Sequence, residues 1–211
     1  MRITEEALKI RSYLKLNNEC QDNPIDLVLP IIPPFVGKDN IKLVIIGQDP
    51  TVKNNNSRSK ISCTLNLDKN NSLKRYIEQI CFSLGISLEN VYATNIFKYF
   101  YTYPPANTMN VLYQHLELNF QLLNVELENY REAIIITLGE PVLKLLTDDK
   151  NKVRKYWDYD VKTGISNMNF SFVEARVNKL GRDFYPFPHQ PSLRKDFYSE
   201  NLSKYINYIS H

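Results

Sequence analysis

Cysteine is scarce: Cys20, Cys63 and Cys81 are the only three in 211 residues. Their number is odd and none stands in a Cys-x-x-Cys spacing, which argues against a disulfide framework and against a zinc or iron–sulfur site built on cysteine alone. A reducing, cytoplasmic setting is the simple expectation. Long apolar runs are missing too; none approaches the roughly 18 residues needed to span a bilayer, so no membrane partner is expected. The N-terminus, MRITEEALKIRSYLK, is charged and lacks the apolar stretch of a secretory signal, which argues against export. There is no Gly-rich phosphate loop, no Gly-x-Ser-x-Gly elbow and no spacing of metal ligands, so neither cofactor nor metal is expected. Neither sign of charge dominates. A net charge of +3 permits a polyanionic partner without demanding one, so any nucleic-acid binding needs a local basic surface.

What is present fits a single domain over residues 1–211, with residues 1–40 forming an N-terminal helix and a proline-rich arm. The chain is 43% hydrophobic and 23% charged, the balance of a globular protein. Internal repeats and low-complexity linkers are absent, and a monomer is expected. Thr4–Asn17 has helical periodicity, with Thr4 as its cap and Glu5 and Glu6 at the positive end of its dipole. Four prolines between Asn18 and Asn40 prevent a long helix there. Ile41–Ile46 is a β-rich apolar run stopped by Gly47, the pattern of a buried strand. Val52–Lys60 is polar and reads as a solvated loop or as a flap. Ile61–Leu67 alternates weakly, as a short extended piece would. Ser72 reads as the cap of a helix that runs to Leu84, and Gly85 ends it. Val91–Asn95 and Ala133–Leu138 read as further buried strands. Helices are expected from Thr108 to about Glu128, over Pro141–Leu146 and over Phe197–Ile209. Asn169–Val177 and Asp183–Phe187 read as short strands, and Trp157 reads as a packing residue. Short uncharged strands alternating with helices predict an α/β fold, a three-layer α/β/α sandwich with a short, mostly parallel sheet.

Three polar residues fall just past predicted parallel strands: Asp49, Asn95 and His189. Parallel strands share one carboxyl edge, where residues distant in sequence converge and ligands bind. A carboxylate, an amide and an imidazole together suit a reaction in which water is activated, a polar ring is read and a leaving group is stabilised. Each also has a plainer reading: an Asx turn at Asp49-Pro50, a loop cap at Asn95, a hydrogen-bonded structural histidine at His189.

Gly47-Gln48-Asp49-Pro50 after a first strand, a strand ending in Asn95, the stretch VYATNIFKYFYTYPPAN, and His189-Gln190-Pro191-Ser192 late in the chain occur in the order of the uracil-DNA glycosylase superfamily. The chain resembles that family from about Ile41 to the C-terminus. The resemblance implies a monofunctional, base-flipping DNA glycosylase that hydrolyses the N-glycosidic bond of uracil or a related deaminated base. It implies that Asp49 orients or activates water, Asn95 reads the base edge and His189 donates to the departing base. Gln48, Thr51 and Thr64 would border the base, and Ser192, Leu193 and Arg194 would touch DNA. Two departures stand out. Thr51 occupies the position where the familiar motif has a tyrosine that blocks the thymine methyl. The segment ISCTLNL lacks the family's stacking phenylalanine, with Phe97, Tyr99, Phe100, Tyr101 and Tyr103 as candidate replacements. Arg176, Lys179, Arg182, Arg194 and Lys195 flank the His189 segment and read equally as phosphate contacts or as an ordinary solvated surface. The alternatives are a catalytically silent glycosylase-like module binding DNA or a protein partner, and an α/β hydrolase or nucleotide-binding protein of another family. Strand order separates the last, since the glycosylase fold keeps its first strand inside the sheet.

Overall fold

The computed structural model describes residues 2–148, 151–160, 163, 166–190 and 196–210. Helix α1 is Ile3–Asn17, entered from Arg2, so Thr4 lies inside the first turn and caps nothing. The arm that follows is pinned to the rest of the chain. Arg11 donates to the Leu29 carbonyl at 2.7 Å, and Asn23 donates to the Tyr103 carbonyl at 3.0 Å. It also contains a two-residue strand, β1 (Phe35–Val36), that the proline count hides.

The apolar run forms β2 (Leu43–Gly47), buried at every position. A short helix, α2 (Asn55–Arg58), follows, and then α3 (Ser72–Ser83), whose cap is not Ser72 but Asn71, accepting from the Lys74 N–H at 2.8 Å. Strand β3 (Val91–Asn95) is also buried throughout. Helix α4 (Met109–Leu127) leads to β4 (Ile134–Leu138), then α5 (Glu140–Leu146), α6 (Val153–Tyr156), β5 (Tyr185–Phe187) and α7 (Asp196–Ile209).

The five strands form one sheet in the order β1-β3-β2-β4-β5. All pairings are parallel except β1 on β3. Strand β2, the first strand read from the sequence, therefore lies inside the sheet, as the resemblance implies. Helices cover both faces, with α1 packed on α4 and α3 packed on α7. Because β2 and β4 are covered on both sides, their sequences are continuously apolar rather than alternating. Trp157 is fully buried and donates to the Pro186 carbonyl at 2.8 Å, a packing role as expected.

Three local expectations fail. Asn169–Val177 is not a strand: a single bridge joins Val173 to Phe184, after which Asp183 takes the Ala175 N–H and the chain turns at Ala175–Val177. Ile61–Leu67 is not extended, since a tight turn at Thr64–Asn66 carries Leu65 at φ +58° and Asn66 at φ +53°. Val52–Lys60 is only partly a solvated loop. Arg58 is 5% exposed, and its guanidinium donates to the carbonyls of Val52, Tyr101 and Thr102 at 2.9, 3.1 and 3.0 Å, tying α2 to the aromatic loop.

Candidate active site

The parallel register sets Gly47 beside Asn95 at the carboxyl ends of β2 and β3. Leu138 pairs with Phe187 at the ends of β4 and β5, and His189 follows two residues later. These ends open into a cleft of about 550 Å³, bordered by Asp49, Asn95 and His189 together with Gln48, Thr51 and the Pro104-Pro105-Ala106 turn. A smaller chamber of about 260 Å³ adjoins it, lined by Pro50, Val52, Ile61 and Leu73 among others. Asp49, Leu65, Asn95 and His189 border both spaces. The three residues singled out by their strand-end positions thus meet at one place.

Asp49 is half-buried by surface area, with protein atoms crowding its carboxylate. Its Oδ1 accepts from the Thr51 N–H at 2.7 Å, and its Oδ2 accepts from Gln48 Nε2 at 2.8 Å. Burial pushes its pKa up to about 6, against the opposing pull of the bonds from Thr51 and Gln48 and of the Arg58 charge. The Asx-turn reading of Asp49 is therefore correct as geometry and compatible with a chemical role.

Asn95 is 2% exposed, and its Oδ1 has no hydrogen-bond partner. The carboxamide lies so close to Gly47 that a Cβ there would stand 2.3 Å from Oδ1. Gly47 is thus required by close approach, not by an unusual backbone angle. The fold thus leaves a buried carboxamide oxygen unpaired in a residue that borders the cleft, a departure from the usual pairing of buried polar groups. From below, a polar network holds the end of β3. Lys98 donates to the Asn95 carbonyl at 2.8 Å and pairs with Glu126, both side chains fully buried. Glu126 Oε2 also accepts from Tyr92 at 2.6 Å and from Thr94 at 2.7 Å.

His189 keeps an exposed edge, yet the surrounding walls desolvate the ring and lower its pKa below the ordinary imidazole value. At neutral pH it is an uncharged imidazole with one N–H to donate. His115, by contrast, is buried in the core between Tyr101 and the Asn18 carbonyl.

Several expected contacts are corrected. Thr64 faces away from the site: it is 1% exposed, and its N–H and hydroxyl both go to the Pro33 carbonyl, at 2.9 and 3.2 Å. Its neighbour Leu65 stands in the wall instead, turned there by its positive φ. Thr51 borders the larger cleft, with its hydroxyl oxygen accepting from the Tyr101 N–H at 2.9 Å. Phe97, Tyr99, Phe100 and Tyr101 are fully buried core residues, and none borders the cleft. Arg182 is a structural clamp that donates to four carbonyls at the end of α4, those of Leu127, Tyr130, Arg131 and Ala133. Arg176 pairs with Glu174 and Lys179 with Asp148. Ser192, Leu193 and Arg194 lie outside the described residues, as does Lys195.

Sequence reasoning passed over Glu140, Tyr198 and Val153, which also border the cleft. Burial, reinforced by the nearby Glu140 charge, pushes the Tyr198 phenol up to about 12. Gly139, at φ +88° immediately after β4, is the one local signal that the chain turns here into a site wall.

An α/β sandwich with a carboxylate, a carboxamide and an imidazole around one cleft at the carboxyl edge of its parallel strands has the layout of a ligand-binding α/β protein. The chain belongs to the uracil DNA glycosylase superfamily, whose family model matches residues 34–208. Among curated proteins, none matches the chain. Membership suggests a glycosylase type of hydrolase that acts on DNA.

Proposed function

We propose that the protein is a monofunctional DNA glycosylase that releases uracil or a related deaminated base by hydrolysis of the N-glycosidic bond. The observation that carries this reading is the convergence of Asp49, Asn95 and His189 on one open cleft, with the Asn95 carboxamide oxygen unpaired. The target nucleotide leaves the stack, because the bond is out of reach inside a duplex. Asp49, with its pKa near 6, is mostly ionised at pH 7. It orients water and offsets the positive charge that grows on the sugar. Gln48 and Thr51 hold the carboxylate in position by the two bonds described above. Asn95 pairs with the ring N–H and a carbonyl of the base. The neutral His189 ring donates its N–H to the base oxygen on which negative charge develops, an interaction worth about 3–4 kcal/mol when the donor is preorganised. No lysine borders the cleft among the described residues, which supports hydrolysis by water over a Schiff-base route.

The open cleft also favours the enzymatic reading over a silent binding module, whose pocket side chains would fill. The test is release of base from uracil-, hypoxanthine- and xanthine-containing DNA, single- and double-stranded. Asp49→Asn is expected to lose most turnover while still binding DNA. Absence of release from every substrate would overturn the reading, and full turnover in Asp49→Asn would overturn the role of Asp49.

A further inference from the structure

Asn66 sits in the wall of the smaller chamber with Asp49, Asn95 and His189. Its Oδ1 is buried and, like that of Asn95, has no hydrogen-bond partner. The third asparagine in this wall, Asn71, behaves differently. Its Nδ2 donates to the carbonyls of Asn66 and Lys69, and its Oδ1 caps α3, so it is consumed by the fold. Gln48, the other carboxamide nearby, is committed to Asp49. Asn66 thus joins Asn95 as a residue of the chamber wall whose carboxamide oxygen is buried without a partner.

The backbone holds Asn66 in this position at a cost. Leu65 and Asn66 are consecutive non-glycine residues with φ of +58° and +53°, a conformation that L-residues rarely adopt in succession. The strain is fixed by bonds on both sides. The Asn66 N–H donates to the Cys63 carbonyl at 3.0 Å, and its own carbonyl accepts from Lys69 N–H at 3.2 Å and Asn71 Nδ2 at 2.9 Å. Strain that the surroundings enforce gathers at sites of function. The turn packs on β3 and β1, and it brings Leu65 and Asn66 into the wall of the chamber.

We propose that Asn66 is a second base-reading residue, and that the preferred base carries a hydrogen-bond donor beyond the ring N–H taken by Asn95. This rests on the base-excision reading above. Uracil in DNA has a single N–H, which one carboxamide satisfies. A base with a second donor, such as a ring hydroxyl or a second ring N–H, satisfies both. A pyrimidine with a 5-hydroxyl and a deaminated purine with two ring N–H groups are the two forms of this chemistry.

Binding to a substrate that cannot be cut separates this inference from the catalytic one. Oligonucleotides carrying uracil, 5-hydroxyuracil or xanthine on a cleavage-resistant 2′-fluorinated sugar are titrated by fluorescence anisotropy against the unmodified chain and Asn66→Gly. Glycine adopts the same φ without strain, so the variant keeps the turn and loses only the carboxamide. The expected result is at least tenfold tighter binding of 5-hydroxyuracil or xanthine than of uracil, with the margin falling to about twofold or less in Asn66→Gly, as loss of one buried hydrogen bond implies. The arm that keeps the larger margin identifies which donor chemistry the site prefers. Equal binding of all three bases by the unmodified chain, or a margin that survives in Asn66→Gly, overturns the proposal. Discrimination without base release from cleavable DNA would uphold Asn66 and overturn the glycosylase reading.

Discussion

Asp49→Asn should make the folded protein more stable at neutral pH while removing its chemistry. The folded carboxyl holds its proton up to about pH 6, against 3.8 for an ordinary aspartate. Between those values the folded chain binds more protons than the unfolded chain, so stability falls as pH rises. The penalty is absent below about pH 3.8 and complete above about pH 6. At about 1.4 kcal/mol per pKa unit it amounts to about 3 kcal/mol at pH 7. Asparagine removes the charge and keeps the geometry: its oxygen still accepts from the Thr51 N–H, and Gln48 rotates its amide to present an oxygen to the new Nδ2. Urea unfolding of both proteins from pH 4 to pH 8 reads the difference. The variant should gain up to about 3 kcal/mol at pH 7 and lose most of that advantage by pH 4. A difference that is constant with pH, or a variant less stable at pH 7, refutes the claim that burial of a working carboxylate dominates at this position.

The remaining predictions concern the site and its supports. Single-turnover base release should rise with loss of one proton near pH 6 and stay level above it, following Asp49; a profile with no limb between pH 5 and 7 contradicts that assignment. Gly47→Ala should reduce base release on the order of 100-fold, because the new Cβ displaces the Asn95 carboxamide, which lies 2.3 Å from where it would stand. Since the displaced group is the end of a side chain, melting should shift by only a few degrees, and undiminished release would show that Asn95 need not sit where it does. Arg58→Met leaves three carbonyls without their donor and should cost about 2–4 kcal/mol by chemical denaturation. A loss below about 0.5 kcal/mol, the scale of an ordinary surface substitution, would mean that Arg58 does not anchor α2.

Sequence by itself determined the three central strands of the sheet and the three polar residues at its edge, while the edge strand β1 stayed hidden among prolines. Leu43–Ile46, Val91–Ala93 and Ile134–Ile136 are apolar without alternation, which only strands covered on both faces tolerate. A polar residue placed just past such a strand has one edge to go to, so Asp49, Asn95 and His189 could be matched without coordinates. Tertiary structure decided which neighbours join them. Thr64, Leu65 and Asn66 are adjacent, and two positive φ angles turn the first to the Pro33 carbonyl and the other two to the cavity. No residue pattern announces that turn, because neither position is a glycine. The same holds for charge. Arg58 and Arg182 look like surface cations in sequence, yet each is spent on backbone carbonyls, among them ones more than 40 residues away. Glu140 and Tyr198 face one cleft only because the sheet and α7 bring them there. Periodicity encodes which side of an element is buried. Which groups then meet across that buried surface is a matter of long-range register, and in this protein register turns an Asx turn beside a strand into one wall of a site.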